Sequence, residues 1–202
     1  MMKLAVYGTA EQLRELMQAD AGIEWLVAKS PEALFKEEAP AAYFLLEQNV
    51  ENIPAVAKPV FINTVTKTLH EINAGTACIR INGWNGFLQK QKWEVSGNIS
   101  EAAKEVLSAL NKEIIQCPDE PGFISPRVIA LIVNEAYHAL AEGVSTKEEI
   151  DIAMKLGTNY PDGPFEWSSI IGLKNIYGLL KKLSLTDERY LPASLLEKEA
   201  NA

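Results

Sequence analysis

Up to Cys117 the chain alternates short apolar runs with helical stretches, and beyond Pro118 no strand-like run occurs. This change of texture restricts the fold more than any other feature. Apolar runs at 2–7, 23–27, 42–46, 60–65, 78–81, 93–95 and 113–117 read as strands. Between them lie helical signals. Residues 9–18 place Leu13, Leu16 and Met17 on one face. Ser30 and Pro31 read as an N-cap and first-turn proline for a short helix carrying Leu34 and Phe35. Ser100 caps a helix running to Leu110. Strands without apolar–polar alternation, each followed by a helix or a long connection, predict a mostly parallel sheet covered on both faces. The expected architecture is α/β plus all-α: an α/β domain over 1–118 and a helical domain over 119–202.

The second half opens on a turn-rich hinge at 118–122. Residues 126–142 read as one long helix ending at Gly143. Within it Val128 to Val133 are six apolar residues in succession, so this helix must be buried in its own domain or against a partner. Ser145 and Glu148 match a capping box for a helix that carries Ile150, Ala153 and Met154 and ends at Gly157. Helices over 165–171 and 174–183 are split at Gly172, and the tail becomes amphipathic around Leu195 and Leu196.

Charge and composition remove several classes of function. The net charge is -8, and no basic cluster offsets it, so nucleic-acid binding is not expected. No apolar run approaches the roughly 20 residues that cross a bilayer. Residues 1–30 lack the order of a secretory signal, so a cytoplasmic location is expected. Two cysteines, Cys78 and Cys117, cannot build a disulfide scaffold, and both are expected as buried thiols. His70, read on a helix after the fourth strand, and His138, inside the long helix, have no partners at metal-ligand spacing, so no metal site is expected.

Several blocks occur in order and at close spacing: Pro-Gly-Phe-Ile at 121–124, Arg127, Asn-Glu-Ala at 134–136, Glu142 with Gly143, Asp-Ile-Ala-Met-Lys-Leu-Gly at 151–157, Pro-Asp-Gly-Pro-Phe-Glu at 161–166 and Ile-Gly-Leu at 171–173. Together they resemble the C-terminal helical domain of the 3-hydroxyacyl-CoA dehydrogenase family. The N-terminal resemblance is fainter. Val6, Tyr7 and Gly8 stand where the first strand meets a glycine-rich turn. Asn63 and Thr64 are similar to part of a cleft-lining block. Residues 81–85 (Ile-Asn-Gly-Trp-Asn) and 93–95 (Trp-Glu-Val) are similar to two further blocks. The resemblance implies an NAD-binding Rossmann-type domain, a homodimer formed through the helical domain, and hydride transfer between NAD and an acyl-CoA. It also implies that a helical insertion is missing from 35–60.

Set against that resemblance, the chemistry-bearing positions are substituted. A dinucleotide site needs glycines after the first strand so that the backbone and a helix N-terminus can meet the pyrophosphate. Here Gly8 alone remains, and Glu11 puts a carboxylate nearby. The family's ribose-binding acid falls at Ala28. The histidine base falls at Asn82, which cannot accept a proton near neutral pH, and the glutamate that orients it at Glu94. The substrate-contacting serine and asparagine fall at Val65 and Pro126. Glu94 alone matches, and a lone glutamate after a tryptophan at a strand edge is read as solvated. Candidate cleft residues are Asn63, Thr64, Thr66 and Asn85, with His70 as the one imidazole of the first domain.

Three readings follow. The favoured one is a divergent member without a competent NAD site or catalytic base, which binds an acyl-CoA or a protein and dimerises. The second is an active NAD-dependent oxidoreductase using a rebuilt site. The third is an interaction module centred on the helical domain, where Val128 to Val133, Trp167, Ile170 and Ile171 give more apolar surface than 84 residues need.

Overall fold

The computed structural model describes residues 1–18, 22–37, 39–48 and 53–202. The chain divides into two compact units, Met1–Phe123 and Ile124–Ala202.

Unit 1 is a seven-stranded sheet built from β1 (Met2–Tyr7), β2 (Ile23–Val27), β3 (Ala42–Leu45), β4 (Val60–Asn63), β5 (Cys78–Ile81), β6 (Lys92–Gly97) and β7 (Glu113–Gln116). The strand order is β2-β1-β3-β4-β5-β6-β7. Every neighbouring pair is parallel except β5 with β6. This is the mostly parallel sheet expected from the apolar runs, and the shortened Rossmann-like one that the resemblance implies. β3, β4 and β5 are buried along their whole length, which is why their sequences show no alternation.

Successive residues of each strand feed opposite cores. Leu4, Val6, Phe44, Phe61, Ile79 and Ile81 pack on one face with Leu16 of α1 (Ala10–Leu16) and Ala103, Val106 and Leu107 of α3 (Glu101–Ala109). Phe44 and Phe61 stack at 4.7 Å. Ala5, Tyr43, Leu45, Val60 and Ile62 pack on the other face with Leu34 of α2 (Pro31–Leu34), Ile53, Val56, Leu69 and Ile72. Ser30 caps α2 as expected, accepting from the Ala33 amide. Among the described residues between β3 and β4 there is no helix.

Two expectations are corrected here. Residues after β4 form turns rather than a helix, so His70 sits exposed on a turn. The cause is tertiary: Asp119 accepts from the Leu69 and His70 amides at 3.1 and 3.3 Å, and Asn73 adopts φ 48°. Glu94 is buried at 7% exposure, because β6 is an inner strand paired on both sides.

Unit 2 is helical: α4 (Ser125–Ala141), α5 (Lys147–Thr158), α6 (Pro164–Ile171), α7 (Leu173–Ser184), a 3-10 turn (Glu188–Tyr190) and α8 (Ser194–Ala200). Its interior holds Ala130, Val133, Tyr137, Phe165, Ile176, Leu179, Leu180 and Leu196. The capping box of α5 lies one residue later than expected: Thr146 accepts from the Glu149 amide, and Ser145 bonds the Glu149 carboxylate. The helix runs through Gly157 and is stopped by Asn159 at φ 57°. Gly172, at φ 90°, separates α6 from α7, a conformation that favours glycine. Of the apolar run, Ala130 and Val133 are buried, whereas Val128 is 52% exposed. The long helix therefore buries one face within its own unit rather than all of its surface.

Candidate functional site

In an open parallel sheet, ligands bind outside the carboxyl ends of the strands, where the strand order reverses. Here the chain leaves β1 for β2 on one side and returns to β3 on the other, so the reversal lies between β1 and β3. Gly8 follows β1 at this point, and α1 begins two residues later.

The carboxyl ends are held together by two buried amide side chains. Gln12, 5% exposed, uses its whole carboxamide. Its Nε2 donates to the Leu46 carbonyl at 2.8 Å and to the Gly83 carbonyl at 3.1 Å, and its Oε1 accepts from the Thr9 amide at 3.0 Å. The Gln12 amide in turn donates to Thr9 Oγ1, which completes a capping box on α1. Asn63 has no exposed surface. Its Nδ2 donates to the Leu46 carbonyl at 2.8 Å, and its Oδ1 accepts from the Gly83 amide at 3.1 Å. The Leu46 amide donates to the Tyr7 carbonyl at 2.8 Å, so β1 and β3 stay joined to their ends. A Cβ at Gly8 would lie 2.8 Å from Leu46 Cβ and 3.0 Å from Gln12 Oε1. This glycine serves the close approach of two strands.

Acidic groups surround this point. Glu11 pairs with Arg14 on the exposed side of α1. Burial pushes the Tyr7 phenol up, and the Glu47 carboxylate that it bonds raises it further, with Glu32 adding to the effect. Ala28, just beyond β2, is buried and donates its amide to the Val6 carbonyl.

Asn82 and Glu94 face each other across the β5–β6 boundary. The antiparallel register pairs Ile81 with Val95. That places Asn82 beside Glu94, and Asn82 Nδ2 lies 3.4 Å from Glu94 Oε2. The Asn82 oxygen accepts from the Trp84 amide, also at 3.4 Å. Val65 is fully buried; Thr64 is buried and donates to the Lys67 carbonyl; Thr66 and Asn85 are half-buried. Pro126 is buried in the first turn of α4. His138 is exposed on the same helix. Both cysteines are buried free thiols, and burial, with Glu94 adding to it, pushes the Cys117 thiol up.

Sequence reasoning passed over three buried polar side chains. Gln12 is one; its signal was the Thr-x-x-Gln spacing of a capping box. Glu15 is another: it accepts from the Gly86 amide at 2.6 Å and the Leu88 amide at 3.2 Å, and so holds the loop after β5. Arg80 is the third. It has no exposed surface and meets Asp119 at 2.7 Å, and it also donates to the Thr64, Val65 and Glu120 carbonyls. Elsewhere in unit 1 a surface hollow of about 380 Å³ is lined by Lys104 and Lys112, but their ammonium groups are committed to Glu101 and to the Leu88 and Lys90 carbonyls. Among the described residues no group of His, Cys, Asp and Glu could hold a metal ion, and no helix is long and apolar enough to cross a membrane.

In unit 2, Asp151 is 8% exposed and accepts from the Phe165 and Glu166 amides at 2.8 and 3.2 Å, capping α6. Burial pushes its carboxyl up against the pull of these bonds. Asn134 accepts from the Ala193 amide and donates to the Leu191 carbonyl. Residues 122–202, which include these features, match the 3-hydroxyacyl-CoA dehydrogenase C-terminal domain.

The helical unit is thus of the 3-hydroxyacyl-CoA dehydrogenase C-terminal type. The chain is 43% identical over 96 residues to a 3-hydroxyadipyl-CoA dehydrogenase of Escherichia coli K12, covering 46% of this chain and 20% of that relative. It is 40% identical over 104 residues to a 3-hydroxybutyryl-CoA dehydrogenase of Bradyrhizobium diazoefficiens, covering 50% and 36%. These matches span well under half the length of either relative. The fold match is broader. The crystal structure of M. tuberculosis FadB2 aligns over 100% of this chain and 94% of its own, with a TM-score of 0.75 at 16% identity. That of PaaH1 from Ralstonia eutropha aligns over 98% and 93%, with a TM-score of 0.68 at 18% identity. At such identities the likeness is one of fold: a Rossmann-like unit followed by a helical one.

Proposed function

We propose that this chain is a divergent member of the family that binds an acyl-CoA without oxidising it, having neither a competent NAD site nor a catalytic base. The observation that carries the reading is the state of Asn82. Its nitrogen is directed at Glu94 and its oxygen at the Trp84 amide. A carboxamide so placed holds two neighbours in position and has no basic lone pair to take a hydroxyl proton. Loss of a general base typically costs about 10²- to 10⁴-fold in rate.

The residues at the β1–β3 reversal do not fit a dinucleotide either. A bound pyrophosphate needs free backbone amides and room beside the glycine turn. Here the Thr9 and Gln12 amides are taken by the capping box, and Gln12 bridges α1 to Leu46 and Gly83. The acyl-CoA ligand rests on the names of the relatives, which are dehydrogenases of CoA esters.

Homodimerisation through unit 2 is part of the same proposal. Ile124 and Val128, one turn apart on the α4 side, are 53% and 52% exposed. Ile152 and Leu156, one turn apart on α5, are 53% and 84% exposed. A two-fold contact buries such stripes on both copies at once. The test of function is NADH formation with 3-hydroxyacyl-CoA substrates, with NAD and acyl-CoA titrations by calorimetry. Binding of an acyl-CoA with no turnover is the expected result. Turnover at an ordinary enzyme rate would overturn the reading, and a monomer at micromolar concentration by light scattering would remove the dimer.

A further inference from the structure

We infer that Gln12 is the residue that keeps a dinucleotide out of the β1–β3 reversal, its side chain taking up the donors and acceptors that a pyrophosphate would meet. The inference rests on the reading that the NAD site is not competent, and it names the group responsible. Erosion and occlusion are different physical states. An eroded site lacks attractive contacts but keeps its space. An occluded site is filled by the chain itself.

The geometry favours occlusion. The carboxamide of Gln12 is committed at both ends: two carbonyls for its N–H groups and the Thr9 amide for its oxygen. It leaves α1, crosses the point of reversal and ends on Leu46, beyond β3, and on Gly83, beyond β5. The Thr9 amide, at the turn where a phosphate oxygen would be received, donates to Gln12 instead. Gly8 leaves no slack, since its missing Cβ would sit 3.0 Å from Gln12 Oε1. Asn63 joins the same Leu46 carbonyl to the Gly83 amide by its own bonds. Removing Gln12 therefore opens space while the ends of β3 and β4 remain linked.

Glu11 repels any phosphate at the same turn, so its charge must be removed for Gln12 to be read alone. The experiment compares the full chain carrying Glu11→Gln with the double variant Glu11→Gln/Gln12→Ala, titrated with ADP-ribose by calorimetry. ADP-ribose carries the pyrophosphate without the nicotinamide. Occlusion predicts at least tenfold tighter binding by the double variant, together with faster hydrogen exchange at the Thr9 amide. A folded double variant that binds no tighter than Glu11→Gln overturns the inference and leaves the proposed function standing. Micromolar ADP-ribose binding by the unaltered chain overturns both. Should Gln12→Ala fail to fold, Gln12→Ser is read in the same comparison, because it shortens the side chain while keeping a polar group at the cap.

Discussion

Replacing Arg80 with Met removes a guanidinium from the centre of unit 1 while keeping most of the side-chain volume. Arg80 has no exposed surface, and burial pulls its pKa down against the stabilising pull of Asp119. Its Nε donates to the Thr64 carbonyl at 3.0 Å and its Nη2 to the Val65 carbonyl at 3.3 Å. Its Nη1 meets Asp119 at 2.7 Å and the Glu120 carbonyl at 3.1 Å. The guanidinium also lies 4.6 Å from the Phe123 ring centre. Removing one partner of a buried ion pair costs about 3–5 kcal/mol. Each carbonyl left without a donor costs about 1–3 kcal/mol. Against this, the Asp119 side chain is 32% exposed and keeps the Leu69 and His70 amides, so its charge is re-solvated in part. We therefore expect Arg80→Met to cost about 3 kcal/mol, a large share of the roughly 5–15 kcal/mol that typically stabilises a fold. Urea unfolding of a Trp167→Phe background, followed by tryptophan fluorescence, reads unit 1, which holds Trp25, Trp84 and Trp93. Arg80→Lys should recover part of the loss, because one ammonium can reach Asp119 but cannot also serve both the Thr64 and Val65 carbonyls. A cycle with Asp119→Ala should give a coupling energy of about 1–3 kcal/mol. A cost below about 1 kcal/mol, or zero coupling, would refute the view that Arg80 holds the 119–123 segment to the end of β4.

Three other perturbations test separate parts of the account. Gly8→Ala forces a methyl to within 2.8 Å of Leu46 Cβ and should cost about 1–3 kcal/mol in urea melts. Asp151→Ala removes the carboxylate that caps α6 and should cost about 1–2 kcal/mol; Gly163→Ala, whose Cβ would clash with the Asp151 carboxylate, should cost more. Burial alone would raise Glu199, but bonds from Lys147 and Tyr137 outweigh it and hold its carboxyl below the ordinary value. Its stabilising contribution, about 0.5–1 kcal/mol for a pair this exposed, is thus present at neutral pH and lost as pH falls through the lowered value. Glu199→Gln should melt lower than the unaltered chain at pH 7, and the difference should vanish in acid.

The strands are legible because apolar-rich runs mark a sheet, and 2–7, 23–27 and 78–81, each interrupted by a single charged residue, coincide with β1, β2 and β5 at both ends. Where local pattern and structure differ, a distant partner or a second register is responsible. The turn that carries His70 is held by Asp119, about fifty residues away, and no local pattern announces it. Ser145 to Glu149 contains two overlapping capping boxes, and the choice between them is made in three dimensions. Glu94 reads as solvated from its place after a tryptophan at a strand edge, and only the pairing of β6 with both β5 and β7 shows it buried. Arg80 did carry a signal: a lone cation within Cys-Ile-Arg-Ile must be buried if the strand is, and a buried cation needs an anion. The sequence could not say which of many carboxylates supplies it.

The two units carry different kinds of information about function. The blocks that reveal the family lie in unit 2, and the structure gives several of them work that has nothing to do with hydride transfer. Asp151 caps α6, and Gly163 makes room for it. Asn134 fastens the 191–193 segment, and Gly172 turns the chain between two helices. These are folding devices, so their presence follows from the need to build the helical unit whether or not any reaction occurs. The chemistry of the family would reside at the ends of β1, β4 and β5, and there the side chains are Gln12, Asn63 and Asn82, each with its amide engaged by neighbours. Three carboxamides that exchange no proton near neutral pH can brace a crevice, which supports the proposed loss of the catalytic base. Resemblance in the helical unit is therefore sound ground for the fold and weak ground for catalysis.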